Sequence, residues 1–308
     1  MWEKKGLIFS PNTNNYWSKS HSQVPTVDVL SEKIWRIYYS SRDSENRSHI
    51  SYFDVEAHNP SNILYLKKEP ILNLGKLGSF DDSGLMPSSI VSIGNLRYLY
   101  YTGWSVRKTI PYHNAIGIAV SYDNGETYSR LFDGPVLSTN AQEPYFVGTS
   151  FVLKENELWR NWYSVCTGWE EIQGKAEPYY HIKYAESQDG VNWLRNGQVA
   201  IDYQKDEAGI VRATVIKDEL YKMWFCYRHS YNYRTDWSKS YRIGFAYSRD
   251  GVCWQRNDNL SGINISDSGW DSEMIAYPDV IFIDNKKYMF YNGNGFGRSG
   301  IGYAIWKD

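Results

Sequence analysis

Three acidic residues, Asp82, Glu143 and Glu207, stand at the same point of a repeating pattern, each five residues ahead of a position (87, 148, 212) that opens an apolar run. The pattern has two more copies, where the matching positions are Ser20 and Ser272, followed by His21 in the first and flanked by Asp271 and Glu273 in the last. Carboxylates gathered in one pocket are the groups that cleave a glycosidic bond. One donates a proton to the leaving oxygen, and the other activates water or attacks the sugar directly. Mutual repulsion raises the pKa of one and leaves the other low, so two roles arise from one residue type. On this reading Asp82, Glu143 and Glu207 are the candidate catalytic residues, with Glu143 as the general acid and Glu273 in reserve as a substrate-side group.

Basic and aromatic residues crowd the same segments. HSQVP supplies His21, SSRDSENRS supplies Arg42, Asp43 and Arg47, and GWSVRKTIPYHN supplies Trp104, Arg107, Lys108 and His113. Further along come Tyr145, Trp169, Arg212, Arg228, Arg234 and Tyr277. His21, Arg42, Arg107, Arg212 and Tyr277 are candidate ligands of substrate oxygens, and Trp104 and Trp169 candidate platforms for the apolar face of a sugar. Arg212 sits between apolar residues of a strand and must find an anion or acceptor there.

The elements that position these groups are strands. The stretch at 34–40, IWRIYYS, returns as LRYLYYT at 96–102, LWRNWYS at 158–164 and LYKMWFC at 220–226, a step of 62 each time, with KKYMFYN at 286–292 close to the grid. Each is preceded by an apolar segment (VPTVDVL, MPSSIVS, GTSFVLK, VRATVIK, YPDVIFI) and followed by an alternating one. The third segments run into turns of one type, YDNGETY, SQDGVNW and SRDGVCW, in which the acid accepts backbone N–H bonds and glycine supplies positive φ. Four strands per period and five periods predict an all-β, five-bladed β-propeller occupying residues 1–308 as one domain. The last copy stops at Asp308 after its third strand, and MWEKKGLIF at the N-terminus predicts the missing fourth.

Composition narrows the function classes. A formal charge of −2 offers no basic excess for phosphate backbones, so no nucleic-acid partner is expected. No apolar run is long enough for a membrane span and no signal-peptide core is present, which predicts a cytoplasmic chain with no membrane partner. Cys166, Cys226 and Cys253 lie in apolar runs and are expected to be buried thiols. No nucleotide or organic cofactor is implied; a metal ion in the channel stays open.

The five-fold repeat, the inner-strand acids and the S-x-D-G-x-x-W turns resemble the five-bladed propeller glycosidases, glycoside hydrolase families 43, 32, 68 and 130. The resemblance covers the whole chain as architecture. It implies two aspartates and a glutamate at inner-strand starts, positions matched here by Asp82, Glu143 and Glu207. The first blade departs from the pattern, because HSQVP offers His21 and no carboxylate unless Asp43 reaches in. Resemblance to family 130 implies an alternative, phosphorolysis with inorganic phosphate held by basic residues and a single protein acid. A glycan-assembly transferase and a non-catalytic sugar-binding propeller complete the readings.

Overall fold

The computed structural model describes residues 1–307, and it is nearly all β. Twenty strands fall into five antiparallel units of four. The first unit is β2 (Ser20–Val29), β3 (Ile34–Arg42), β4 (Ser48–Glu56) and β5 (Asn59–Leu66). The second is β6 (Gly84–Ile93), β7 (Leu96–Val106), β8 (Tyr112–Ser121) and β9 (Ser129–Arg130). The third is β10 (Val147–Glu155), β11 (Leu158–Ile172), β12 (Lys175–Ser187) and β13 (Val199–Ile201). The fourth is β14 (Glu207–Lys217), β15 (Tyr221–His229), β16 (Arg242–Ser248) and β17 (Gln255–Arg256). The fifth joins β18 (Ala276–Ile283), β19 (Lys286–Asn292) and β20 (Ile301–Trp306) to β1 (Trp2–Phe9), which pairs antiparallel with β20 and so ties the two chain ends together. Asn294–Gly297 (α1) is a tight turn rather than a regular helix, because Gly295 and Phe296 are left-handed at φ 66° and 60°. No helix among the described residues is long and apolar enough to cross a membrane.

The opening strands β2, β6, β10, β14 and β18 neighbour one another in that order and return to β2. Hydroxyl and carboxyl side chains stitch them together by satisfying backbone groups that no ladder reaches. Ser88 Oγ accepts from Ser150 N and donates to Ser150 O, Thr149 Oγ1 accepts from Arg212 N, Thr214 Oγ1 accepts from Val280 N, and Asp279 Oδ2 accepts from Val27 N. Large aromatics fill the space between units, among them the fully buried Trp17, Trp35, Trp162 and Trp224.

The repeated turns link consecutive units. In each, a serine hydroxyl donates to the aspartate (Ser121 to Asp123, Ser187 to Asp189, Ser248 to Asp250) and accepts the following glycine N–H. The glycine carbonyl then accepts from the second strand of the preceding unit: Tyr38 Oη donates to Gly125, Tyr100 Oη to Gly190 and Trp162 Nε1 to Gly251, at 2.7–3.0 Å. Cys166 and Cys226 are buried as expected. Cys253 is exposed, because it lies in the third of these turns, where its backbone N–H binds Asp250 and its side chain faces outward.

Candidate functional site

Each of the three acids of the sequence reading makes its side-chain contacts within its own unit. Glu143 is buried, accepting from Tyr163 Oη (2.9 Å), Lys183 Nζ (3.1 Å) and Arg195 Nη1 (2.9 Å). Glu207 pairs with Arg256 through both oxygens at 2.8 Å. Asp82 is partly exposed and accepts from Gly78 N and Ser83 Oγ, bracing its own loop. No hydrogen bond, ion pair or common partner links the three among the described residues.

The register that suggested a shared role belongs to a structural clasp. Its acids are Asp81, Glu143, Glu207 and Asp271. Tyr101, Tyr163 and Tyr291, each twenty residues after its acid, donate to Asp81, Glu143 and Asp271 at 2.9–3.0 Å. A cation at the outer edge of the unit completes each clasp: Arg130 to Asp81 (2.6 Å), Arg195 to Glu143 (2.9 Å), Arg256 to Glu207 (2.8 Å) and Lys4 to Asp271 (2.7 Å). In the first unit, Trp17 takes this place, packing on Tyr39 and donating to the Lys68 carbonyl. Asp82 is thus one residue away from the clasp member.

Arg212 is wholly buried, at 0% exposure, and lies on the axis. Its guanidinium donates to the Ser88 carbonyl, the Pro25 carbonyl (2.7 Å), Thr26 Oγ1 (2.9 Å) and Asp279 (3.3 Å), while its N–H binds Thr149 Oγ1. It therefore touches all five units and finds the anion that its position demanded, inside the protein. Asp43, the acid that could have reached in from the first unit, binds Arg47, His49 and two backbone N–H groups of its own loop.

Most of the remaining predicted residues lie at one end of the units, where β2, β6, β10, β14 and β18 begin. Its floor is aromatic. Phe146, Tyr180, Tyr241 and Met274 form one apolar cluster, against which Tyr112, Trp169, Tyr277 and Phe296 pack. Trp169 meets Tyr112 edge-on at 5.5 Å, and Tyr241 lies 5.9 Å from Tyr277 and from Phe296. Burial drives the hydroxyls of Tyr112 and Tyr277 above their ordinary pKa. Arg228, also fully buried, donates to Tyr180 Oη and the Pro178 carbonyl, and stacks 3.9 Å from the Tyr233 ring. Tyr180 and Tyr241 share a hydroxyl–hydroxyl hydrogen bond.

The wall is polar. Hairpin β7–β8, the β11–β12 turn and Arg234 border an open cleft of about 440 Å³ lined by Arg107, Lys108, Lys175, Glu177 and Arg234. Glu177 is buried, accepting from Tyr233 Oη (2.8 Å) and Arg234 Nη1 (2.6 Å). Opposite, His21 follows Ser20, the register partner of Arg42, and Tyr277 stands beside Arg42 on the fifth unit. Trp104, half-buried, donates Nε1 to Ser48 Oγ (2.8 Å). Glu273 is half-buried at the rim; its backbone N–H binds Asn294, and no cation pairs with its carboxylate among the described residues. The sequence reading did not single out Glu177, Tyr112, Tyr180, Tyr241, Phe296 or Arg298. Glu177 sits in the N-terminal extension of β12, a third strand longer than its counterparts β8 and β16, and Arg298 in GNGFGRSG, so neither stands at a repeated position.

No protein-family model matches the chain. It is 38% identical over 309 residues to the uncharacterized protein Rv1502 of Mycobacterium tuberculosis, with 100% of this chain and 99% of that protein covered. The chain belongs to the Rv1502 family. A second strain's counterpart, MT1551, matches to the same degree. Among solved structures, this Rv1502-family chain is similar to a glycoside hydrolase (TM-score 0.72, 18% identity, 99% of this chain and 91% of that one). It is also similar to a member of the GH130 family of mannoside phosphorylases, described as containing glycoside hydrolases that target β-1,2 mannosidic linkages in Candida mannan (TM-score 0.69, 16% identity, 100% and 94%). A thermostable family-43 glycoside hydrolase is a third (TM-score 0.64, 16% identity, 97% and 94%). At these identities the likeness is one of fold, and it is to glycosidase-like proteins.

Proposed function

We propose that the chain is a single-domain, five-bladed β-propeller enzyme that cleaves a glycosidic bond at the aromatic mouth of its axis, by hydrolysis. The five four-stranded units are the blades, and the pairing of β1 with β20 is the closure. The observation that carries the reading is a buried carboxylate, Glu177, on the wall of a mouth floored by Tyr112, Trp169, Tyr241 and Tyr277. Rings of this kind stack on sugar faces, and the adjoining tyrosine and arginine donors suit sugar hydroxyls.

Tyr233 and Arg234 both donate to Glu177, which arranges it as a proton acceptor. In hydrolysis it takes a proton from water as the water oxygen attacks the anomeric carbon. The bond to the leaving oxygen breaks, and that oxygen takes up a proton. Glu273, whose carboxylate has no ion-pair partner, is the group we assign to donate it. In this reading the clasp carboxylates Glu143 and Glu207 hold blades together.

The test is turnover on a panel of aryl glycosides and oligosaccharides, run with the thermal melt of every variant. Glu177→Gln is expected to lower kcat by about 10²–10⁴-fold, the usual range for a general base, in a variant that still folds, its melt only modestly lowered because the Arg234 partner is 49% exposed and water takes over its pairing. Full activity in that variant, or no turnover of any glycoside by the folded parent, sinks the proposal.

A further inference from the structure

Buried arginines in this protein are commonly neutralised by the chain itself. Arg36 pairs with Asp54, Arg97 with Asp28 and Arg212 with Asp279. At the mouth this fails for Arg228, which donates only to Tyr180 Oη and backbone carbonyls, and for one further group. Arg42, at the end of β3, donates Nε to Gln23 Oε1 (3.1 Å) and Nη1 to Asn46 Oδ1 (2.9 Å), both neutral acceptors. Gln23 in turn donates Nε2 to the Phe296 carbonyl (2.7 Å), which ties β2 to the α1 turn. Asn292 Nδ2 reinforces the tie by donating to the Ser22 carbonyl (2.6 Å), and Gly297 is so close that a Cβ there would stand 2.7 Å from the same carbonyl. The next residue after that pinned turn is Arg298. The third member is His21, 7% exposed, held in the left-handed region at φ 63° with Nδ1 on Ser20 Oγ (2.8 Å).

Three potential cations are thus set together by two strands and a turn. No carboxylate pairs with any of them among the described residues. Burial first, then Arg42 and Arg298, push the His21 pKa down to about 4. Burial and Arg298 also lower Arg42, against an opposing pull from Tyr277. His21 is therefore neutral near pH 7, and the two guanidiniums, Arg42 half-buried and Arg298 exposed, carry the positive charge that an anion would match. Arg107, Lys108, Lys175 and Arg234 on the far wall, against Glu177 alone, extend the same imbalance in a chain of net charge −2.

We propose that His21, Arg42 and Arg298 form a subsite for an oxyanion carried by the sugar substrate, a phosphate ester or a uronate carboxylate. The word substrate rests on the glycosidic reading above; the anion site itself rests on the three side chains. Two guanidiniums offer forked N–H donors that match such oxygens, and Tyr277 closes the side toward the aromatic floor.

The experiment is equilibrium binding to matched pairs of oligosaccharides, neutral and bearing either a glucuronate or a sugar phosphate, with inorganic phosphate as a separate arm. The acidic member of a pair is expected to bind at least about 10-fold more tightly, and less so as salt is added. Arg298→Gln and Arg42→Gln are each expected to weaken the acidic probes by about 10–100-fold and the neutral ones little, with the thermal melt equal or raised because a like charge has gone. Equal binding of neutral and acidic members, no binding of either acidic class, or equal losses for both members in the variants overturns the subsite. Inorganic phosphate that binds as tightly as the acidic glycans also overturns it, replacing the substrate-borne group by a free anion. Turnover of neutral glycosides without acidic preference removes the subsite and leaves the enzyme reading intact. Acidic glycans bound through Arg298 with no turnover support the subsite and remove the enzyme reading.

Discussion

Replacing Glu143 by glutamine separates a catalytic carboxylate from a structural one. The side chain is 3% exposed and receives three donors, from Tyr163, Lys183 and Arg195. Removing one member of a buried ion pair leaves the partner charges unmatched and costs about 3–5 kcal/mol. Lys183 and Arg195 keep 15% and 16% side-chain exposure, so water relieves part of that, and the lower end, about 3 kcal/mol, applies. The new amide also turns two donors toward groups that themselves donate. For a chain somewhat beyond 250 residues each kcal/mol moves the melting temperature by about 2–4 °C, so Glu143→Gln is expected to melt about 6–12 °C below the parent. Differential scanning calorimetry reads this directly. The Arg195→Gln change should cost less once Glu143 is already glutamine, which a double-mutant cycle detects. A melt within about 1 °C of the parent, with glycoside turnover abolished, refutes the clasp and restores Glu143 as the general acid.

Arg212→Met should be among the most damaging single changes, at about 3–5 kcal/mol by urea unfolding, because it strands Asp279 and frees backbone carbonyls of β2 and β6 on the axis; a midpoint unchanged by the substitution contradicts the keystone role. His21 titrates near 4 in the folded protein and near 6.5 unfolded, so the unfolded chain takes up the proton first. Stability should be flat in this respect above about pH 6.5 and fall between there and pH 4, by up to about 3 kcal/mol, and His21→Gln should flatten that limb. Gly190→Ala places a Cβ at φ +75°, 2.7 Å from Tyr100 Oη and 2.9 Å from the Trp159 ring. It should cost about 2 kcal/mol or more by urea midpoint, whereas Gly197→Ala, at the same φ but with nothing within 4 Å, should show only the backbone strain of about 1 kcal/mol.

The repeat made the strands legible. Alternation of apolar and polar residues, the D-G and N-G turns and the step of 62 are local features, and a strand or turn is decided by residues within a few positions of one another. That is why the four-strand grouping, the third-to-fourth-strand turns and the N-terminal closing strand could be read before any coordinates. That His21, Arg42, Arg107, Trp169 and Tyr277 lie toward one end could be expected for a related reason: inner-strand starts and second-strand ends pair and must share that end. The roles of the acids were not. A carboxylate in register says nothing of its partner, and the partners of Glu143 and Glu207 are Arg195 and Arg256, 52 and 49 residues further on. Arg212 reaches residues up to 187 positions away. Such pairings depend on how the units close around an axis, so tertiary structure alone decided that the repeated acids clasp their strands. It alone brought Glu177, Arg42 and Arg298, from three different units, to one mouth.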